Sequence, residues 1–252
     1  MIYETGERER AAQLFDGWQE TMIWSCLQGV MGSLYVDQTN NPSSAGVRLG
    51  DFCFLAGEPK REIVLRGKDR QDFLIMVPRH FGWEAEIESC FGAQAKRVMR
   101  YAMKKEPDVF DREKLRVFEG ALSDEYVLKM MDESLFMQCR EIAWCKDFVS
   151  QYTDFAQYEK YGLGAVVLKN GEIVSGASSY SGYIGGIEIE IDTREDYRRR
   201  GLAAACGAKL ILECLRRGLY PSWDAQNPWS VALAKKLGYH FDYAYTAYEV
   251  TG

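Results

Sequence analysis

The chain has 252 residues, a formal net charge of −6 at pH 7, 47% hydrophobic residues and 13% aromatic residues. This length predicts one large domain or two small ones, with enough apolar residues for a packed core. The acidic balance argues against nucleic acid as the main partner, because no basic excess exists to replace phosphate counterions. No apolar run reaches the roughly 18 residues of a membrane span, and the N-terminus is unlike a signal peptide.

The seven cysteines are odd in number, lack C-x-x-C spacing and mostly lie in apolar segments. This pattern is typical of free, buried thiols, so we predict a reduced, cytoplasmic protein. Because the chain has only two histidines, we expect no Cys/His zinc site and no other metal.

The N-terminal half has mixed helical and strand patterns, which predict a smaller α/β domain. A charged segment, Glu106 to Lys114, contains a proline and marks the predicted boundary between domains 1–112 and 113–252. The predicted elements of this half are a helix from Glu7 to Gln28, strands from Val30 to Val36, Val47 to Leu55 and Phe73 to Val77, a helix from Glu84 to Cys90, and a strand around Met99 to Met103.

The second half alternates between strand and helix patterns in a longer series. Asn170-Gly171 lies between two apolar runs, which predicts a hairpin with a type I′ turn. The predicted elements are a strand at Leu115 to Phe118, a helix capped by Ser123, a helix from Met137 to Val149, the hairpin from Gly164 to Gly176, a strand from Gly185 to Thr193, a helix from Leu202 to Arg217, a strand from Tyr220 to Ala225, a helix opened by Asn227 and closed by Gly238, and a last strand within Phe241 to Val250.

The most informative segment is the basic turn between the strand at Gly185 to Thr193 and the following helix. The first N–H groups of a helix have no intrahelical partner, and the helix dipole adds partial positive charge there, so this turn predicts a phosphate site. Gly201 and Ala203 let a phosphate approach the backbone closely. The neighbouring arginines can add charge-assisted hydrogen bonds.

Arg198-x-x-Gly201-x-Ala203 resembles the coenzyme A pyrophosphate loop of the GNAT N-acetyltransferase superfamily. A strand and an Asn-initiated helix that ends in Gly238-Tyr239 follow in the order and spacing of that superfamily. From near Leu115 to the end, the chain is also similar to the branch that includes the zwittermicin A resistance acetyltransferase.

The resemblance implies a GNAT-like mixed sheet flanked by helices in the C-terminal half, so the fold class is α/β (α+β). It also implies acetyl-CoA as the co-substrate, which lies between the strands on either side of the pyrophosphate helix. The residues that it implies for the coenzyme are Ile191, Asp192 and Thr193 at the pantetheine and acetyl carbonyl, Arg198, Arg199, Arg200, Gly201, Leu202 and Ala203 at the pyrophosphate, and Asn227 and Ser230 at the pantetheine arm or the sulfur.

Two carboxylates on the strand before the loop are the candidates for the general base. Glu188 and Glu190 alternate with isoleucines, so both face one side of the strand. If that side lines the cleft, the pair would bind a cationic amine and raise each other's pKa. We favour Glu190, which is nearer the expected acetyl end. The competing interpretation is a solvent-facing row of charged side chains.

The candidate general acid departs from the superfamily pattern. Many GNAT enzymes place a tyrosine seven residues after the motif asparagine, where this chain has Ala234. Ser230 or Tyr243 could act instead, or the thiolate could leave without an acid.

The sequence therefore predicts an N-acetyltransferase that transfers an acetyl group from acetyl-CoA to a primary amine of a small molecule. The alternative is a non-catalytic acyl-CoA-binding or sensing protein. A third interpretation, nucleic-acid binding through the arginine cluster, conflicts with the acidic balance. The N-terminal half would cover the cleft and shape acceptor specificity, or form a degenerate GNAT-like module. A homodimer is compatible with the sequence, which leaves the oligomeric state and the acceptor open.

Overall fold

The computed structural model describes residues 1–69 and 72–252, which contain thirteen strands and nine α-helices. The described chain divides into two compact units, Met1–Arg100 with Ala244–Gly252, and Tyr101–Tyr243. It contains two mixed sheets with flanking helices, which confirms the predicted α/β fold class. The functional division at residue 112 stays a prediction.

The first unit begins with short elements and continues into a sheet with neighbours in the order β1-β2-β3-β4-β5-β13. Its elements are β1 (Tyr3–Glu4), α1 (Glu9–Ala12), α2 (Thr21–Leu27), β2 (Ser33–Val36), β3 (Ser44–Leu49), β4 (Phe52–Gly57), α3 (Arg61–Lys68), β5 (Phe73–Pro78), α4 (Phe81–Phe91) and β6 (Ala95–Met103), whose last residues belong to the second unit.

The second unit contains a five-stranded sheet in the order β11-β10-β9-β8-β7. Its elements are α5 (Arg112–Glu119), β7 (Tyr126–Met130), α6 (Glu133–Glu141), α7 (Phe155–Tyr161), β8 (Gly164–Lys169), β9 (Glu172–Tyr183), β10 (Gly186–Thr193), α8 (Leu202–Arg217), β11 (Tyr220–Ser222), β12 (Asp224–Ala225), α9 (Pro228–Leu237) and β13 (Phe241–Thr251), whose last residues belong to the first unit.

Several elements of the second unit confirm the sequence predictions. Helix α8 spans the predicted residues, and Gly218 ends it in the left-handed conformation with φ 71°. The β8–β9 turn has φ 51° at Asn170 and 85° at Gly171, as a type I′ turn requires. Asn227 caps α9, Pro228 is its first residue and Gly238 ends it.

Two predictions in the first unit are wrong because glycines interrupt continuous apolar patterns. The strand predicted from Val47 to Leu55 is the pair β3 and β4, which turn at Gly50 with φ 56°. Both strands are buried, so their apolar residues run together in the sequence. The helix predicted from Glu7 to Gln28 is divided at Gly17, whose φ is 72°.

The strand predicted at Leu115 to Phe118 is also wrong, because these residues lie in α5. The Asp111 carboxylate accepts the N–H groups of Glu113 and Lys114, both at 3.0 Å, and so starts the helix at Arg112, three residues before Leu115. Ser123 caps no helix. Its carbonyl accepts the Tyr126 N–H in a turn that leads into β7.

The helix predicted from Met137 to Val149 begins earlier and ends at Glu141, and α7 was not predicted at all. Both observed helices start at an aspartate. The Asp132 carboxylate accepts the Leu135 N–H at 3.0 Å, and the Asp154 carboxylate accepts the Gln157 N–H at 2.8 Å. These caps decide the boundaries more strongly than the apolar periodicity does.

The two units share much of their order of elements: three antiparallel strands, a helix, a strand parallel to the third, a second helix and a further strand. The second unit has the short strand β12 before that second helix. In the first unit, β4 and β5 pair from Phe52 to Leu55 on β4. The helix that follows β4, α3, carries Glu62 in its first turn, where an anion would otherwise bind. In the second unit, β11 pairs with β10 only from Gly186 to Glu188 on β10, and α8 has no acidic residue in its first turn.

The core of the second unit lies between its sheet and helices α5, α8 and α9. Gly207 lets α8 approach the sheet, because a Cβ there would lie 2.8 Å from Leu237 Cδ1 and 3.2 Å from Ile191 Cδ1. Six of the seven cysteines are buried and all seven are free thiols, as the sequence predicted. Within residues 1–69 and 72–252, no helix is both long and apolar enough to cross a membrane.

Candidate active site

One edge of strand β10 is open where the sheet separates. Strand β11 pairs with β10 only as far as Glu188, which lies opposite Ser222. The chain then passes through Trp223 into β12, which pairs with β6. In the described part of the chain, no strand pairs with this edge of β10 from Ile189 to Thr193. Backbone groups there can hydrogen-bond an extended ligand, as an added strand would.

The loop before α8 presents backbone N–H groups to the same region of β10. Arg199 and Gly201 have φ 63° and 81°, and the first helical bond runs from the Ala205 N–H to the Gly201 carbonyl. No described residue accepts the N–H groups of Leu202 or Ala203. A Cβ at Gly201 would meet nothing within 4 Å, so the space over the helix end is clear. These features fit a pyrophosphate group.

The three consecutive arginines have different surroundings. Arg198 Nε donates to the Thr193 carbonyl at 3.2 Å, and Arg200 Nη2 donates to the Asp196 carbonyl at 3.0 Å. Arg199 is exposed, and no described residue bonds its guanidinium. Arg199 therefore has the most freedom to reach an anion, whereas the other two also shape the loop.

A fourth arginine, Arg194, holds the loop in place. Its Nε and Nη2 donate to the two carboxylate oxygens of Asp196 at 2.8 and 3.1 Å, and its Nη1 donates to Glu172 at 3.0 Å. Its guanidinium also lies 4.5 Å from the centroid of the Tyr197 ring. The sequence analysis did not identify this residue, because nothing in the spacing indicates a planar double hydrogen bond.

The side chains of β10 alternate between the core and the opposite face. Ile187 and Ile189 are buried in the core of the second unit. Glu188 and Glu190 therefore share the other face. Glu188 is only 6% exposed and Glu190 is half-buried. A solvent-facing row of charges does not describe this arrangement, and the roles of both carboxylates remain predictions.

Hydroxyl groups lie around the buried Glu188. Ser181 on β9 and Ser222 on β11 lie opposite Glu188 in the strand register. The Tyr183 hydroxyl lies 3.0 Å from Ser222 Oγ. Burial raises the pKa of Tyr183; the bond with Ser222 opposes this rise, and the charge of Glu188 adds to it. Tyr183 is therefore neutral at pH 7 and is no base. The sequence analysis did not identify Tyr183. Gly186 makes room for its ring, because a Cβ there would lie 2.3 Å from Tyr183 Oη.

Helix α9 begins beside the point where the strands separate. Asn227 Oδ1 accepts the Ser230 N–H at 2.9 Å, so the carbonyl of this side chain caps the helix, and its NH₂ group remains available to a ligand. Ser230 Oγ accepts the indole N–H of Trp223 at 3.1 Å. Ser230 is half-buried. The sequence analysis named Asn227 and Ser230 but assigned no contact to Trp223.

The two other positions considered for the general acid differ in exposure. Ala234 is fully buried in the core of the second unit. Tyr243 is 38% exposed on β13. Of the two hydroxyl side chains considered for the general acid, Ser230 is therefore the one that lies where the strands separate.

Replacing Asn227 by alanine removes the cap of α9. We expect Asn227→Ala to lower the free energy of unfolding by about 1 kcal/mol, the usual cost of losing such a cap. Urea unfolding followed by circular dichroism measures this loss. Asn227→Asp is the matched control, since its carboxylate keeps the cap and should restore most of the stability. Equal stability of the alanine variant and the wild type would contradict the assigned cap.

In the described ranges, no cluster of three or more His, Cys, Asp or Glu side chains could hold a metal ion. The arrangement instead offers backbone donors at an open strand edge, an anion site at a helix start and two carboxylates on one face.

Residues 12–248 match the family model described as GNAT acetyltransferase, and the chain belongs to this family. The family is one of acyltransferases, and this membership confirms the superfamily to which the sequence motifs pointed. The match extends over parts of both compact units.

Two relatives resemble the chain along nearly all of its length. A GCN5-related N-acetyltransferase-like protein from Streptococcus suis 89/1591 is 46% identical, with a TM-score of 0.92 over 96% of this chain and 98% of that chain. The uncharacterized N-acetyltransferase YdfB of Bacillus subtilis (strain 168) is 27% identical over 92% of this chain and 91% of its own.

A tandem GNAT protein from the clavulanic acid biosynthesis pathway is 12% identical, with a TM-score of 0.58 over 100% of this chain and 98% of that chain. At that identity the likeness concerns the fold alone.

Proposed function

We propose that this protein transfers an acetyl group from acetyl-CoA to a primary amine of a small molecule. The observation that carries the proposal is the open edge of β10 together with the start of α8, where the N–H groups of Leu202 and Ala203 have no acceptor in the described chain. A strand-like pantetheine arm and a pyrophosphate would bind these two features together.

The proposed coenzyme contacts lie along the open edge of β10, in the loop before α8 and at the start of α9. The Ile191 backbone points to the open edge. With its neighbours Asp192 and Thr193 it would bind the pantetheine arm and the acetyl carbonyl. The segment Arg198–Ala203 would bind the pyrophosphate, and Asn227 would use its NH₂ group. Acetyl-CoA, when bound, supplies an acetyl group activated as a thioester.

Glu190 would act as the general base, because the attacking amine must lose a proton. It is half-buried on the open part of β10, two residues beyond the last pair with β11. Glu188 lies deeper on the same face, and its charge would help to attract an ammonium group. Ser230 would donate a hydrogen bond to the sulfur as it leaves, in place of the tyrosine that Ala234 replaces.

We also propose a kinship with the zwittermicin A resistance branch and a role for the N-terminal half in acceptor specificity. We propose as well that the protein is cytoplasmic and that its thiols are reduced. The second candidate, a non-catalytic acyl-CoA-binding protein, is favoured by one observation, the buried Ala234 at the usual acid position.

A panel of small amines distinguishes the two candidates. The protein is incubated with acetyl-CoA and each of several polyamines, amino sugars, amino acids and aminated antibiotics, and both free thiol and acetylated product are measured. We expect at least one amine to yield thiol and N-acetyl product in equal amounts. Coenzyme binding without amine-dependent thiol release by any acceptor would instead favour the binding protein.

A further inference from the structure

We infer that Trp223 is a positioning residue for acyl transfer, and that it orients the Ser230 hydroxyl toward the coenzyme sulfur. The inference rests on the proposed function. It concerns a buried tryptophan that no sequence motif assigns to the reaction.

The indole of Trp223 is fixed in place at the point where β11 ends. Its side chain is 4% exposed, and its ring meets that of Tyr239 at 5.4 Å and 72°. Its backbone carbonyl accepts the Met103 N–H at 3.2 Å, and the Tyr239 hydroxyl donates to the Pro221 carbonyl at 2.7 Å. The indole N–H therefore points at Ser230 Oγ from a rigid position.

That contact determines what the Ser230 hydroxyl can do. An indole nitrogen donates only, so the serine oxygen must be the acceptor of this bond and its own hydrogen must point elsewhere. No described residue accepts that hydrogen. The Ser230 N–H is held by Asn227, which fixes the Cα from which the hydroxyl projects. Ser230 is thus a preoriented donor on the side where the strands separate.

The step balances without proton loss from Ser230. The amine nitrogen forms the new bond to the acetyl carbon, the carbon–sulfur bond breaks, and its electron pair stays on sulfur. The amine proton passes to Glu190, and solvent later protonates the thiolate. Ser230 keeps its proton and donates a hydrogen bond to the developing negative charge. Donation from Trp223 to the same oxygen strengthens that bond by polarising the hydroxyl.

The test is a double-mutant cycle with Trp223→Phe, Ser230→Ala and the combined variant. The first readout is the pKa of the coenzyme A thiol bound to each protein, followed by the ultraviolet absorbance of the thiolate. We expect the wild type to lower this pKa below that of free coenzyme A. Each single variant should raise it, and the combined variant should match Ser230→Ala.

The second readout is kcat for the best amine. Trp223→Phe should lower kcat by about 3- to 10-fold, since a hydrogen bond between neutral groups is worth about 1 kcal/mol. It should have no further effect in the Ser230→Ala protein. Trp24→Phe is the matched control: it also loses an indole hydrogen bond, to the Trp18 carbonyl at 3.1 Å, in the first unit.

Equal losses from Trp223→Phe with and without Ser230 would overturn the inference, because Trp223 would then act only in packing. An unchanged thiol pKa in Trp223→Phe would do the same. If the wild-type protein turns over no amine, the proposed function fails and the inference with it. If the wild type is active but the double-mutant cycle shows no coupling between Trp223 and Ser230, only the inference is refuted.

If Trp223→Phe does not fold, a measurement on the Trp223 indole of the folded protein tests the inference instead. The indole N–H resonance of Trp223 should move when the bound thiol ionises in the wild type and stay fixed in Ser230→Ala. A resonance that is unmoved in the wild type would contradict the inference.

Discussion

We expect Gly201→Glu to abolish acetyl-CoA binding in a chain that remains folded. The residue adopts φ 81°, so any side chain there costs about 1–2 kcal/mol of stability. The glutamate would place a carboxylate over the N–H groups of Leu202 and Ala203 and repel the pyrophosphate. Loss of one favourable anion site and gain of repulsion should raise Kd at least ~100-fold, or about 2.7 kcal/mol. Isothermal titration calorimetry measures this.

Gly218→Glu is the matched control for that variant. Gly218 ends the same helix with φ 71°, and a Cβ there also meets nothing within 4 Å. It should lose at least as much stability, because a negative charge at a helix C-terminus is unfavourable, yet bind acetyl-CoA as the wild type does. Equal weakening by both substitutions would mean that strain in α8, and no phosphate contact, explains the result.

We expect Glu190→Gln to lower kcat by ~10²-fold or more, because an amide cannot accept the proton of the attacking amine. Its Kd for acetyl-CoA should stay within a factor of about 3. The side chain lies on the face of β10 that we propose binds the amine, whereas backbone groups would make the coenzyme contacts. Steady-state kinetics with the best amine and calorimetry with acetyl-CoA separate the two effects.

Glu159→Gln controls for the change in charge, because this glutamate is exposed on α7. It should keep wild-type kcat. Glu188→Gln should raise KM for the amine more than it lowers kcat if this carboxylate mainly attracts the ammonium group. A larger fall in kcat for Glu188→Gln than for Glu190→Gln would assign the base to Glu188 instead.

The sequence predicted the elements whose signals are local. Gly201, Gly218 and the Asn227-Pro228 pair mark the ends of α8 and α9, and each acts through its own backbone conformation or a cap three residues away. The Asn170-Gly171 turn is equally local. Each of these signals acts within a few residues of the turn or helix end that it marks.

The errors have a different origin. Leu115 and Phe118 fit a strand or a helix by hydrophobicity alone, and only the Asp111 cap decides for α5. The β3–β4 pair appears as one strand because both strands are buried and the turn at Gly50 is tight. Short apolar runs are ambiguous until their caps and turns are weighed.

The site was predictable in part. The loop arginines follow from motif spacing and Glu190 from the alternation along the strand, but the burial of Glu188 depends on where β11 leaves β10. The Trp223–Ser230 bond joins residues seven apart on different elements, and no periodicity encodes it. The open edge itself is a property of strand pairing, which the sequence implied only through resemblance to a family.

The central claim is that acetyl-CoA binds along the open edge of β10 and at the start of α8. Amide hydrogen exchange with and without acetyl-CoA tests this most directly, because amides without an acceptor exchange quickly until a ligand covers them. We predict protection at Ile189 and Ile191, whose N–H groups point to the open edge, and at Leu202 and Ala203, with none at the Gly218 end of α8. Binding that leaves these amides unprotected, or protects only the first unit, would contradict the account.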